Sequence, residues 1–177
     1  SGVREGVRRL GAIAAALLLA IGGLGAWYTQ FRDPVYATAI GEQHTLNLPH
    51  GSTVILNADS RVKVRYSDAN RTIDLEEGQA LFKVAKNPAR PFIVRSGEAS
   101  VRAVGTQFNI DLKPRTTVVT VVEGKVALSR QAQTTYLSAG EQISVEPANA
   151  RIAKVVRPAD PTAATAWTQR RLVFDHR

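Results

Sequence analysis

The sequence predicts an all-β domain, a β-sandwich, jelly roll or solenoid-like stack, preceded by one transmembrane α-helix and followed by a short helix. Three observations carry this prediction. After residue 33 the chain breaks into short runs in which apolar and polar residues alternate, the period of half-buried strands. Turn signals separate the runs, and no helical stretch interrupts them. Ahead of residue 32 stands an uncharged apolar segment long enough to cross a bilayer.

The span begins at Leu10. Residues 10–31 are 22 positions without a charge, on the order of 33 Å of helix against a hydrocarbon core of about 30 Å. Trp27 and Tyr28 fall where an interfacial aromatic belt would lie. Arg4, Arg8 and Arg9 precede the span and only Arg32 follows closely, so the positive-inside rule puts the N-terminus in the cytoplasm and residues from about 33 outside it. The expected division is a cytoplasmic juxtamembrane remnant at 1–9, the transmembrane helix at 10–31, a β domain at 33–157, and a linker helix with the start of a truncated subdomain at 158–177. A secretory leader also fits the basic start and the small residues at 23–26. However, a leader should begin its chain, and with no methionine anywhere Ser1 is not an encoded start, so a fragment or a processed chain is expected. Gly22, Gly23 and Gly25 weaken the outer end of the span. They read either as ordinary membrane-helix glycines or as a segment that an intramembrane protease can unwind.

The alternating runs come in order at 45–48, 61–66, 71–75, 81–84, 92–95, 99–103, 107–110, 118–122, 125–128 and 142–145. Between them lie turn signals such as Pro49-His50-Gly51, Asp68-Ala69-Asn70, Glu76-Glu77-Gly78, Glu123-Gly124 and Ala139-Gly140. Gly51, Gly78, Gly105, Gly124 and Gly140 are separated by 27, 27, 19 and 16 residues. The shrinking interval excludes a strict solenoid period and suggests hairpin-like units sharing one core. Arg61, Lys63 and Arg65 alternate with Val62, Val64 and Tyr66. This sets three cations on one strand face, which reads as a solvated edge or as a docking face for an acidic partner. Asp160-Pro161 before TAATAW reads as a helix N-cap with proline at the first helical position, and Trp167 as that helix's anchor on the β core. Residues 172–175 are an apolar run with no partner following.

One stretch stands apart. At 99–103 and 107–110 the alternation holds on both sides of Gly105-Thr106, so Gly105 marks a turn or bulge needing positive φ.

Composition removes most chemistry. There is no cysteine, hence no thiol nucleophile, thiolate metal site or disulfide. The three histidines His44, His50 and His176 form no paired ligand motif, and no phosphate loop precedes a helix. The net charge of +8 has no accompanying nucleic-acid motif and only 6% aromatic residues, so no nucleic-acid partner is expected. Glu42, Glu76, Glu77, Glu98, Glu123 and Glu141 sit mostly beside turn glycines, where solvation accounts for them. No conventional enzyme, cofactor or metal is expected.

The blocks IGEQHTLNLPHGSTVILNADSRVKVRY (40–66), EEGQALFKVAKNPARPFIVRSG (76–97), VGTQFNI (104–110), VEGKVALS (122–129), LSAGEQ (137–142) and AWTQRRLVF (166–174) together resemble the FecR family of single-span anti-sigma factors and sigma regulators. His50 departs from the family's usual aspartate, and Arg170-Arg171 from a usual glycine. The resemblance implies a single-pass protein of the bacterial inner membrane with a periplasmic β domain. The implied partners are the signalling domain of a TonB-dependent outer-membrane transducer bearing an iron-siderophore, an extracytoplasmic-function (ECF) sigma factor bound through a missing N-terminal domain, and a site-2-type intramembrane protease. Some members are cleaved between the glycine and threonine that match Gly105 and Thr106. Two other classes fit parts of the pattern. A lipopolysaccharide-transport component also joins one helix to a periplasmic jelly roll, and needs a continuous apolar groove. An autoproteolytic domain needs only the Gly105-Thr106 bond.

Overall fold

The computed structural model describes residues 18–20, 22–23, 33–146, 153–158 and 160–169. The chain divides into two compact units, Ser1–Asp33 and Pro34–Arg177. In the first, residues 18–20 and 22–23 are helical. Most of the expected span, including Leu10, Trp27 and Tyr28, lies outside the described residues, and among the described residues no helix is long and apolar enough to cross a membrane.

The second unit holds thirteen described strands. They are β1 (Val35–Ala37), β2 (His44–Asn47), β3 (Thr53–Leu56), β4 (Arg61–Tyr66), β5 (Arg71–Lys83), β6 (Phe92–Ser96), β7 (Ala99–Ala103), β8 (Gln107–Lys113), β9 (Thr116–Glu123), β10 (Lys125–Arg130), β11 (Gln133–Ser138), β12 (Glu141–Val145) and β13 (Ala153–Pro158). The all-β prediction holds, and the architecture is two sheets joined through one strand. One sheet runs β1-β4-β5-β6-β7-β10-β11 and the other β2-β3-β5-β8-β9-β12-β13.

β5 is the joint, and it corrects the sequence reading of residues 71–84. Two strands separated by a turn at Glu76-Glu77-Gly78 were expected. One strand of 13 residues runs through instead. Its first part, 71–75, pairs with β4 and, in parallel, with β6, while 78–83 pairs with β3 and β8. The pairing with β4 jumps from Arg61↔Glu77 to Val62↔Leu75, a bulge that leaves Glu76 over and bends the strand into the second sheet. Gly78 has φ 76°, and a Cβ there would lie 2.3 Å from Ser60 Oγ and 2.4 Å from the Asp59 carbonyl oxygen. A turn and a crossing bulge share one signature, polar residues closing on glycine. The far half of β5 also serves as the crossover that the parallel β5–β6 pair requires.

The alternation delivers one apolar face per sheet to a shared core. Val62, Val64, Ile73, Leu75, Phe92, Val94, Val101 and Leu128 from the first sheet join Val54, Leu56, Phe82, Phe108, Ile110, Val119 and Ile143 from the second. Phe82 stacks on Phe108 at 5.2 Å and meets Phe92 edge-on at 6.2 Å, linking the sheets. Each fully buried side chain of this size contributes about 1.5–3 kcal/mol of transfer free energy.

The turn Pro49–Gly51 absorbs the histidine departure. His50 adopts φ 68°, a left-handed conformation in which histidine, like aspartate and asparagine, is tolerated. Helix α1 (Pro161–Thr165) starts as the sequence predicts, with the Asp160 carboxylate accepting from the Thr162 N–H at 2.8 Å. It packs on β9.

Candidate functional site

Gly105 and Thr106 connect β7 to β8. Gly105 takes φ 65°, as the break in alternation predicts, and the place its Cβ would occupy is 3.1 Å from Lys86 Cβ. Thr106 is 5% exposed. Its carbonyl accepts the Val84 N–H at 2.9 Å, but its hydroxyl is buried with no hydrogen-bond partner. On the opposite side Gly124, at the tight β9–β10 turn, comes so close that a Cβ on it would sit 2.8 Å from Thr106 Cγ2 and 3.4 Å from the Gly105 carbonyl oxygen.

The bond opens onto a cleft of about 260 Å³ lined by Gly51, Lys83, Ala85, Gly105, Thr106 and Glu123. Strand register builds its polar wall, because Lys83, Gln107 and Glu123 lie side by side across β5, β8 and β9. Thus a hydroxyl oxygen without a hydrogen-bond partner adjoins a peptide bond in a left-handed turn, beside this cleft.

Behind the cleft lies Arg71, which sequence reasoning missed. It begins β5 yet is 0% exposed. Its Nε donates to the Arg90 carbonyl (2.9 Å), Nη1 to Ser52 Oγ (3.1 Å) and Nη2 to the Ala85 carbonyl (3.3 Å), with the guanidinium 5.5 Å from the Phe92 ring centroid. Burial pushes its pKa below the ordinary arginine value. Ser52 Oγ also accepts the Ala85 N–H at 3.1 Å. Nearby, the Tyr66 hydroxyl is buried without a hydrogen-bond partner, and burial pushes its pKa up to about 12 against the opposing pull of Arg71 and Arg90. An arginine opening an alternating run gives no sign of burial, because the loops that cover it are distant in sequence.

The cationic stripe of β4 is not bare. Arg65 Nε lies 2.8 Å from Asp74 and Arg61 Nε 3.6 Å from Glu77, both carboxylates being on β5. Trp167 is half-buried, donates its indole N–H to the Ala164 carbonyl (3.0 Å), and accepts at its own carbonyl from Gln43 Nε2 (2.9 Å). The structure therefore brings Gly105 and Thr106 together with Gly124 and Lys86, sets Arg71 one step away through Ala85, and leaves the β4 stripe and Trp167 apart from them. The apolar run at 172–175 lies outside the described residues. Among the described residues no group of three or more acidic or histidine side chains could hold a metal ion.

The fold defines a two-sheet β domain whose sheets share the strand β5. Residues 34–127 match the family described as FecR protein, and the chain belongs to that family. Two crystal structures of a "putative anti-sigma factor" from Parabacteroides distasonis, at 2.50 and 1.65 Å, share the fold at 30% identity with TM-scores of 0.70 and 0.71. Each match covers 77% of this chain, but only 64% and 65% of the solved chains. No curated protein matches the sequence.

Proposed function

We propose that the chain is the membrane-anchored sensor portion of an anti-sigma-type transmembrane regulator, held in the bacterial inner membrane by a single pass with its N-terminus cytoplasmic and its β domain periplasmic. The β domain reads the signalling domain of a TonB-dependent outer-membrane transducer loaded with an iron-siderophore. Regulated proteolysis ending at a site-2-type intramembrane protease passes the signal to an ECF sigma factor. The observation that carries this reading is the joint match, FecR over residues 34–127 and a fold shared at 30% identity with the anti-sigma structures. The regulator is preferred to a lipopolysaccharide-transport component, for which a continuous apolar groove would be needed; the clefts described are of about 260 and 120 Å³. For the transducer, the β4 stripe offers exchangeable partners. Exposed ion pairs such as Arg61–Glu77 are worth about 0–1 kcal/mol, so an acidic partner can displace Glu77 at little cost. In the native host, deleting the gene should uncouple sigma-dependent transcription from added ferric siderophore. An unchanged siderophore response would remove the proposal.

The Gly105–Thr106 bond is proposed as a point of self-cleavage rather than enzymatic turnover. The Thr106 hydroxyl attacks the Gly105 carbonyl carbon, its proton passes to the Thr106 nitrogen, and the C–N bond breaks to leave an ester. Water then hydrolyses the ester to a Gly105 carboxylate and a Thr106 amino terminus. Cleavage products on a denaturing gel, absent from Thr106→Ala, are the expected result.

A further inference from the structure

We propose that Arg71 is a positioning residue for the Gly105–Thr106 bond, acting through residues 84–86; the inference rests on the self-cleavage reading above. The connection is a continuous chain of contacts. Arg71 and Ser52 together hold both polar backbone groups of Ala85, the carbonyl through Nη2 and the N–H through Ser52 Oγ, which itself receives Nη1. The neighbour on one side, Val84, donates its N–H to the Thr106 carbonyl at 2.9 Å. The neighbour on the other side, Lys86, has its Cα, Cβ and Cγ within 3.4 Å of the point where a Gly105 Cβ would stand. Residues 84–86 therefore form a lid whose middle is fixed by Arg71 and whose two ends rest on the two halves of the bond. Gly124 also lies close to this bond, where a Cβ would stand 2.8 Å from Thr106 Cγ2 and 3.4 Å from the Gly105 carbonyl oxygen.

The charge itself argues for this role. A guanidinium at 0% exposure whose described partners are three neutral oxygens and an aromatic ring is an expensive way to fill a core position, and an apolar side chain of similar volume is often as stable or more so. An apolar side chain, however, cannot tie the Arg90 carbonyl, Ser52 and Ala85 at once. The fan of N–H donors ties Ser52 to two points of the β5–β6 connection in one geometry, and a displacement on the order of 1 Å at a reacting centre can cost about a hundredfold in rate.

The test uses the full chain in detergent, followed by denaturing gel and mass spectrometry for fragments 1–105 and 106–177. Wild type, Thr106→Ala, Arg71→Lys, Arg71→Met and Ser52→Ala are compared. Arg71→Met and Ser52→Ala should cleave about tenfold more slowly or worse, with Arg71→Lys in between because it restores one donor. Ser52→Ala keeps the charge and tests the same lid if Arg71→Met fails to fold, with far-UV dichroism and the unfolding midpoint as checks. Neutral hydroxylamine, which cuts esters and not amides, should release less fragment from both variants under conditions where dichroism and the unfolding midpoint show them fully folded. Folded Arg71→Lys and Ser52→Ala chains cleaving at the wild-type rate would overturn the positioning role while leaving self-cleavage intact. Wild type as uncleaved as Thr106→Ala would overturn both.

Discussion

Gly124 lies against Thr106 so closely that one added carbon would stand 2.8 Å from the threonine methyl. Gly124→Ala therefore meets two costs, roughly 1–2 kcal/mol for a Cβ at φ 82° and about 1–3 kcal/mol for overpacking beside a buried side chain. Gly140 has φ 80° with nothing within 4 Å, so Gly140→Ala should meet only the first cost, roughly 1–2 kcal/mol. Urea midpoints of the two variants should separate by the overpacking share. Equal midpoints would mean that the Gly124–Thr106 contact is not tight.

At Gly78 the obstruction is backbone and cannot yield. A Cβ would fall 2.4 Å from the Asp59 carbonyl oxygen and 2.7 Å from Ser60 Cα, so Gly78→Ala must move β4 away from β5 at the bend between the sheets. The expected loss exceeds about 4 kcal/mol, beyond the usual range for a point substitution. A variant expressed as soluble, cooperatively folded protein would show that the bend has slack.

Gly78 also marks where the sequence stopped being legible. The alternation on either side of Gly105 foretold its left-handed turn, and Asp160-Pro161 foretold the start of α1, because both signals are written in a few adjacent residues. A turn and a strand-crossing bulge have the same local text, so the Glu76-Glu77-Gly78 stretch was readable as punctuation but not as continuity. Arg61 and Arg65 read as a solvated edge or a docking face because Glu77 and Asp74 become their neighbours only through the β4–β5 register. Arg71 was invisible for the same reason on a larger scale. Its partners, Ser52 before β3 and Ala85 and Arg90 in the β5–β6 connection, come from two segments that only the assembled fold brings together.

The Tyr66 hydroxyl is desolvated without receiving a hydrogen bond, so Tyr66→Phe should be neutral or stabilising by about 1 kcal/mol in chemical unfolding, against the usual loss on truncating a tyrosine. Alkaline behaviour carries the same signature. The phenol's pKa rises from 10.0 to about 12 on folding, so its neutral form is favoured in the folded state. That contribution is whole below pH 10 and is lost as pH climbs toward about 12. Phenolate absorbance should show one late-titrating tyrosine fewer in Tyr66→Phe than in wild type.

Asp160 titrates in the opposite sense. Hydrogen bonds from the Thr162 N–H, then from its hydroxyl, hold the carboxyl below its ordinary value of 3.8. A depressed pKa stabilises the folded state above that value and loses its effect as pH falls through the lower folded pKa. The docking of α1, followed by Trp167 fluorescence in a Trp27→Phe background, should be flat from neutral pH down to about 3.8 and change below it. Asp160→Asn keeps a capping oxygen and should lack this step. Identical acid profiles would show that the cap is not what titrates.

Thr106→Val separates what the threonine does for the fold from what it does for the bond. Valine matches threonine in shape and branching, and ordinarily the exchange costs stability because the hydroxyl had a partner. Here Thr106 Oγ1 is buried and unpartnered, so its removal relieves a desolvated polar atom. The valine chain should equal or exceed wild type by about 1 kcal/mol in urea unfolding. The Val84 N–H bond to the residue 106 carbonyl survives the exchange, as does the packing against Gly124, so the turn itself should persist. Cleavage at residues 105–106 should nonetheless vanish, since no oxygen remains to attack the Gly105 carbonyl. A valine variant that is clearly less stable would mean that the hydroxyl has a structural partner in solution and is not held in reserve. One that is stable and still cut would assign the scission to an external protease and leave Thr106 a core residue.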